Sequence, residues 1–187
     1  MDKYETWKNV ISELRRDNSV KQKKGLHFIL TSVFIWAAIF VIQSSSLPAL
    51  TKNLFTLCCS TPLFPVALLF SKILKIDFQN KENPLTNLGI LFALNQLLYI
   101  LIAMWVYPTV PDKMVMVYAM IFGAHLLPYG WTYESKAYYT FAVLITIVVL
   151  LVGISFSAKI VAAVMFFMEI ALSLCLALEV KKLDCKV

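Results

Sequence analysis

What most constrains this chain is a recurrence: long runs of apolar side chains, without two-residue alternation, each close to the length that a helix needs to cross a bilayer. A hydrocarbon core of about 30 Å takes roughly 20 helical residues. The runs are 26–42, 54–70, 88–106, 114–130, 138–156 and 160–178. Continuous apolarity excludes a lipid-facing barrel, and helices satisfy every backbone donor and acceptor without water. The predicted fold class is therefore all-α: an integral membrane helical bundle with six transmembrane helices. Composition agrees, since 60% of the 187 residues are hydrophobic, only 15% are charged, and the mean hydropathy is +0.76. The runs 26–42, 54–70 and 114–130 are short, so tilt or local thinning of the bilayer has to absorb the mismatch.

The 17 basic residues set an orientation. With a cytoplasmic N terminus, seven lie in the N-terminal arm, three between the second and third runs, one at Lys136 and three in the tail 181–187. The opposite side keeps only Lys52, Lys113 and Lys159. Such a bias places both termini in the cytoplasm. The net charge of +6 is then a matter of topology and anionic lipid, and no nucleic-acid partner is expected.

No cleavable signal peptide is expected ahead of the first run, because residues 1–24 are polar. Within that arm Tyr4, Trp7, Val10, Ile11 and Leu14 recur at helical spacing among charged residues. Two readings stand: an amphipathic helix lying on the cytoplasmic face of the membrane, or a surface arm packed on the bundle. In either case the basic cluster from Lys21 to Lys24 meets anionic lipid headgroups.

Polar residues inside the runs carry any functional reading, because an intramembrane ionisable group costs about 2.5 to 3.5 kcal/mol and faces the bundle interior with partners. Glu169 lies at the centre of the sixth run. Counted from the run midpoints at about 1.5 Å per residue, Thr61, Asn95 and Gln96 share its layer. Tyr118 lies about one turn outward of the midpoint of the fourth run, and His125 about one turn toward the cytoplasm. His125 and Glu169 differ in depth by roughly 5 Å, within reach of one bridging water. Thr31 and Ser32 extend the layer toward the cytoplasm, and His27 falls at the interface. For Asn95, Gln96 and His125, helix-to-helix bonding is the alternative to a site.

Helix breakers fall in the same region. Pro62 and Pro65 in CCSTPLFP deprive the carbonyls of Cys58 and Thr61 of their helical partners, so this helix should bend. In FGAHLLPYGW, Pro128 does the same to Ala124, and Gly123 and Gly130 allow close approach or unwinding. Interrupted helices near the midplane point to a transporter-like site, although kinks that only shape a bundle are commoner. Cys58, Cys59, Cys175 and Cys185 are expected to be free thiols. There is no GxSxG, HExxH, Walker or dinucleotide fingerprint, and two histidines do not make a metal site. Neither a metal nor a cofactor is expected. Superposing the first three runs on the last three puts Asn95 and Glu169 at similar positions, but the prolines of the second run have no counterpart in the fifth.

The segments KENPLTNLG, LNQLLYILIAMWVY and MVYAMIFGAHLLPYGWTYESKAY resemble those of a family of small bacterial polytopic membrane proteins of unknown function. The resemblance implies a bacterial cytoplasmic membrane and supports the helical topology, but it implies no activity and no site residue.

Three functions follow as expectations. The preferred one is a small-solute or ion transporter, or ligand-binding membrane protein, whose polar midplane cavity is lined by Glu169, His125, Asn95, Gln96, Thr61 and Tyr118. The second is a membrane-embedded lipid-modifying enzyme with His125 and Glu169 as acid and base and PYGWTYES at the headgroups. The third is a non-catalytic scaffold or assembly subunit.

Overall fold

The computed structural model describes residues 3–78 and 80–184. Among the described residues eight α-helices follow one another: α1 (Lys3–Lys21), α2 (Leu26–Ser44), α3 (Ala49–Cys58), α4 (Leu63–Ile73), α5 (Leu85–Thr109), α6 (Met114–Thr132), α7 (Lys136–Ser155) and α8 (Ala158–Asp184). Among the described residues there is no strand. Helices α2, α5, α6, α7 and α8 are each long and apolar enough to cross a membrane. The pair α3 and α4 reaches that length only as one span bent by 44°.

That bend sits where the prolines stand. Between the two helices the chain makes tight turns, with the amide of Thr61 donating to Cys58 at 3.0 Å and that of Leu63 to Ser60 at 3.1 Å. The carbonyl of Cys58, deprived of its helical donor by Pro62, thus finds one a residue earlier. Pro128 has a milder effect. It stands one turn from the end of α6, and the helix continues to Thr132 without the unwinding that FGAHLLPYGW suggested. Gly123 does serve close approach: a Cβ there would stand 2.8 Å from both Ile145 Cγ2 and Thr146 Oγ1 of α7.

The core lies where α2, α6, α7 and α8 meet. Trp36, Ile39, Met114, Leu126, Ile145, Met165, Leu172 and Leu176 are all but inaccessible. Alanines such as Ala119, Ala142 and Ala162 let the backbones close in, which matters in lipid because packing rather than water expulsion holds helices together. Helix α5 packs on α6 and stays at the periphery, with most of its large side chains exposed. The last helix runs to Asp184, into the segment expected to be a tail; Cys185 lies outside the described residues. Cys58, Cys59 and Cys175 are free thiols.

The N-terminal arm divides between its two readings. Residues 3–13 of α1 are exposed throughout, including Tyr4, Trp7, Val10 and Ile11. From Leu14 onward the helix docks on the bundle. Arg15 lies 4.7 Å from the centre of the Trp131 ring, donates to the Trp131 carbonyl at 2.7 Å and pairs with Glu134 at 3.4 Å. Asp17 accepts from Asn80 at 2.9 Å and from Asn83 at 2.8 Å, and Ser19 donates to the Tyr133 carbonyl at 2.8 Å. A left-handed turn at Lys23, Lys24 and Gly25 then leads into α2.

Candidate functional site

Glu169 stands mid-way along α8 and is completely buried. Its neighbour is across the interface with α2, where the Ser32 hydroxyl is hydrogen-bonded to Glu169 Oε2. Ser32 Oγ is also 2.8 Å from the carbonyl of Ile29. A serine hydroxyl carries one hydrogen. If that hydrogen serves the Ile29 carbonyl, the contact with Glu169 is a hydrogen bond only when the carboxyl brings its own proton. The series Glu169 O–H to Ser32 O–H to Ile29 C=O uses each donor once.

The other carboxyl oxygen, Oε1, has no hydrogen-bond partner among the described residues. One helical turn along α8, Ser173 Oγ is buried and equally unpaired. A spacing of four residues puts the two on the same face. Met165, Leu172 and Leu176 of that helix are also completely buried. Further toward the start of α2, Thr31 donates to the His27 carbonyl at 2.8 Å. His27 itself is buried, against Phe28 and Phe78, with neither ring nitrogen paired among the described residues. It is therefore not the ordinary interfacial histidine that its sequence position suggested.

The remaining candidates do not gather around Glu169. Asn95 is exposed and Gln96 is half-buried, both on α5, which packs against α6 and not α8. Equal depth did not bring them together, because the two helices lie on different sides of the bundle. Thr61 is exposed in the break between α3 and α4. Tyr118 is buried beside Trp36, and its hydroxyl is hydrogen-bonded to that of Ser60. His125 is half-buried between the rings of Phe122 and Tyr129. Its Nδ1 lies 2.6 Å from the Phe122 carbonyl, so that nitrogen carries the hydrogen. No hydrogen bond joins His125 to Glu169 among the described residues.

A second polar assembly, which sequence reasoning missed, ties the N-terminal segment to the bundle. Lys24, almost fully buried, pairs with Glu179 of α8 at 2.9 Å and donates to the Glu134 carbonyl at 3.0 Å. Glu179 also accepts from the Ala137 amide at 3.0 Å, at the start of α7. The Tyr138 hydroxyl donates to the Lys24 carbonyl at 2.9 Å and that of Tyr133 to Gln22 Oε1 at 2.7 Å. Burial among Tyr129 and its neighbours pushes the Tyr133 hydroxyl well above the usual phenol range. Arg15 and Ser19 of α1 thus hold the PYGWTYES segment, in which Trp131 and Glu134 stay exposed. Among the described residues, no three His, Cys, Asp or Glu side chains are placed to hold a metal ion.

Five long apolar helices, one of them carrying a buried carboxyl, with the bent pair α3 and α4 able to make a sixth span, define an all-helical protein of the multi-pass membrane class among the described residues. The chain belongs to DUF7010, a family of unknown function that matches residues 11–179. No curated protein and no solved structure matches it.

Proposed function

We propose that this protein is a proton-binding transporter that crosses a bacterial cytoplasmic membrane six times, with the bent pair α3 and α4 as one crossing and both termini cytoplasmic. Fourteen of the 17 basic residues lie on the side of the termini, which supports that orientation. The exposed first half of α1 lies along the anionic headgroups of that leaflet.

One observation carries the functional reading: Glu169 is wholly buried between α2 and α8, with Oε2 hydrogen-bonded to the Ser32 hydroxyl and with Oε1 unpaired among the described residues. Leaving a buried carboxyl oxygen unpaired is costly. A purely structural contact has no use for that cost, whereas a group that takes up and releases a proton does. Ionisation breaks the series, because Ser32 must then donate to Glu169 and abandon the Ile29 carbonyl. Sliding of α2 against α8 would admit water to Oε1 and Ser173 and favour that release. Movement of a small solute would then be coupled to the change.

The test has two parts. Infrared difference spectra of purified protein across a pH titration should show a protonated carboxyl band that is absent from Glu169→Gln. Protein in liposomes under an imposed pH gradient should move protons, and Glu169→Gln should not. A spectrum unchanged by Glu169→Gln would remove the proton-binding reading, and unaltered proton flux would remove the transport reading.

A further inference from the structure

The three lysines on the side away from the termini, Lys52, Lys113 and Lys159, belong to segments far apart in the chain: α3, the link between α5 and α6, and the start of α8. The fold brings all three to the lining of one cavity of about 400 Å³ at the end of the bundle opposite α1. We propose that this cavity is a binding site for a phosphate-type oxyanion. The proposal stands independently of the role of Glu169.

Charge is the first support. The lining holds three ammonium groups and one carboxylate, Asp112, which is exposed. None of the four is in an ion pair with another described residue at 4 Å or less. The lysines therefore gather positive charge in a half-enclosed site without neutralising it. Such charge focused by low-dielectric walls attracts anions.

Preorganisation is the second. Lys113 is half-buried and anchored, with Nζ 2.7 Å from the Gly153 carbonyl and 3.0 Å from that of Ile154, at the end of α7. The floor is made of amides that are almost fully buried: Asn53 donates to the Pro111 carbonyl at 2.7 Å, and Gln43 donates to Thr56 Oγ1 at 2.9 Å. Holding α3 to the link before α6 in this way fixes the distance between their lysines. Helix α8 begins at Ala158 in the same lining, so its first amides add partial positive charge. Lys159 is the mobile member. It is exposed, and its ammonium rests 5.9 Å from the centre of the Phe40 ring, so it can turn onto a bound anion.

The same chemistry is offered by a free phosphate monoester or inorganic phosphate and by the phosphodiester of an anionic lipid, since this end of the bundle falls at headgroup level. The experiment separates them. Purified protein in a neutral detergent is titrated with inorganic phosphate by calorimetry, and its retention of phosphatidylglycerol is followed in parallel by native mass spectrometry. Lys52→Gln and Lys159→Gln are the variants, with Lys136→Gln as a control at the other end. Lys113 is left intact because it holds the end of α7.

Loss of one charged hydrogen bond corresponds to a fall of about tenfold or more in affinity, and both variants should show it while Lys136→Gln does not. Loss of phosphate binding assigns a free anion, and loss of lipid retention assigns a headgroup. If a variant misfolds, Lys52→Arg and Lys159→Arg retain charge and should retain binding. Absence of both ligands from the wild-type protein, or binding that survives both glutamine variants, would overturn the proposal.

Discussion

Ser32→Ala tests the Glu169 site most directly, because among the described residues it removes the one side chain hydrogen-bonded to the carboxyl and leaves the rest of the interface in place. In the wild-type protein Glu169 has one oxygen paired and one unpaired. The substitution leaves both unpaired in a site with no solvent access. Stranding a buried polar group in this way costs about 1 to 3 kcal/mol. The Ile29 carbonyl loses only an extra bond, since its helical donor, the Val33 amide, is unaffected. The loss should therefore come from Glu169 alone. In a chain of this length it corresponds to a fall in Tm of roughly 2 to 12 °C.

Two companions make the reasoning refutable. Glu169→Gln keeps a donor aimed at Ser32 and should change Tm much less than Ser32→Ala. Glu169→Leu together with Ser32→Ala removes both polar partners at similar volume, and replacing both in this way can be nearly neutral. The double variant should therefore recover most of what Ser32→Ala loses. Thermal unfolding in detergent, followed by the far-ultraviolet helix signal, reads all three. If Ser32→Ala is silent, or if Glu169→Gln lowers Tm as much as Ser32→Ala does, the neutral-acid series is refuted.

Other expectations follow from contacts elsewhere. Gly123→Ala places a methyl group 2.8 Å from two atoms of α7 and should lower stability by about 1 to 3 kcal/mol through forced separation of α6 and α7, checked by the same unfolding assay. Lys24→Met leaves Glu179 without its cation; it should destabilise by about 1 to 3 kcal/mol, and Lys24→Met with Glu179→Leu should recover most of that. For Asp17, burial pushes the carboxyl upward, but the Asn83 and Asn80 amides and the Lys21 ammonium outweigh it and hold the group below its ordinary value. A depressed folded-state value means that this docking contact is at full strength above the usual carboxylate range, near 3.9, and is lost as pH falls through the lower folded-state value. Protease cleavage within α1 should rise on that acid limb and lose its pH dependence in Asp17→Asn.

Much of the helical architecture was legible because run length is a one-dimensional signal, and the second run was the exception for a readable reason: Pro62 and Pro65. The site was legible only in part. Counting residues from a run midpoint gives depth, and depth put Glu169 level with Asn95 and Gln96. Which side of the bundle a helix occupies is angular information. Runs such as 26–42 and 160–178 are apolar nearly all round, so periodicity could not say that Glu169 turns toward Ser32 and away from α5. The spacing of Ser173 from Glu169 was a usable local clue. The Lys24 and Glu179 pair was not foreseeable, since 155 positions separate the two residues. Lys52, Lys113 and Lys159 counted toward orientation, but their convergence needed the loops to be placed.

The contact between α2 and α8 also has a consequence for how the chain is made. Ser32 and Glu169 are separated by 137 positions, so α2 acquires its main partner from a helix that is made much later. Until α8 is synthesised, α2 has α3, α4 and the α6 rings beside Trp36 as neighbours, and the polar face around Ser32 stays open within the membrane. Closing the core is therefore a late event in biogenesis. A chain that stops before α8 would hold most of its apolar helices and lack the helix that completes them, and quality-control proteases of the membrane would meet Ser32 uncovered.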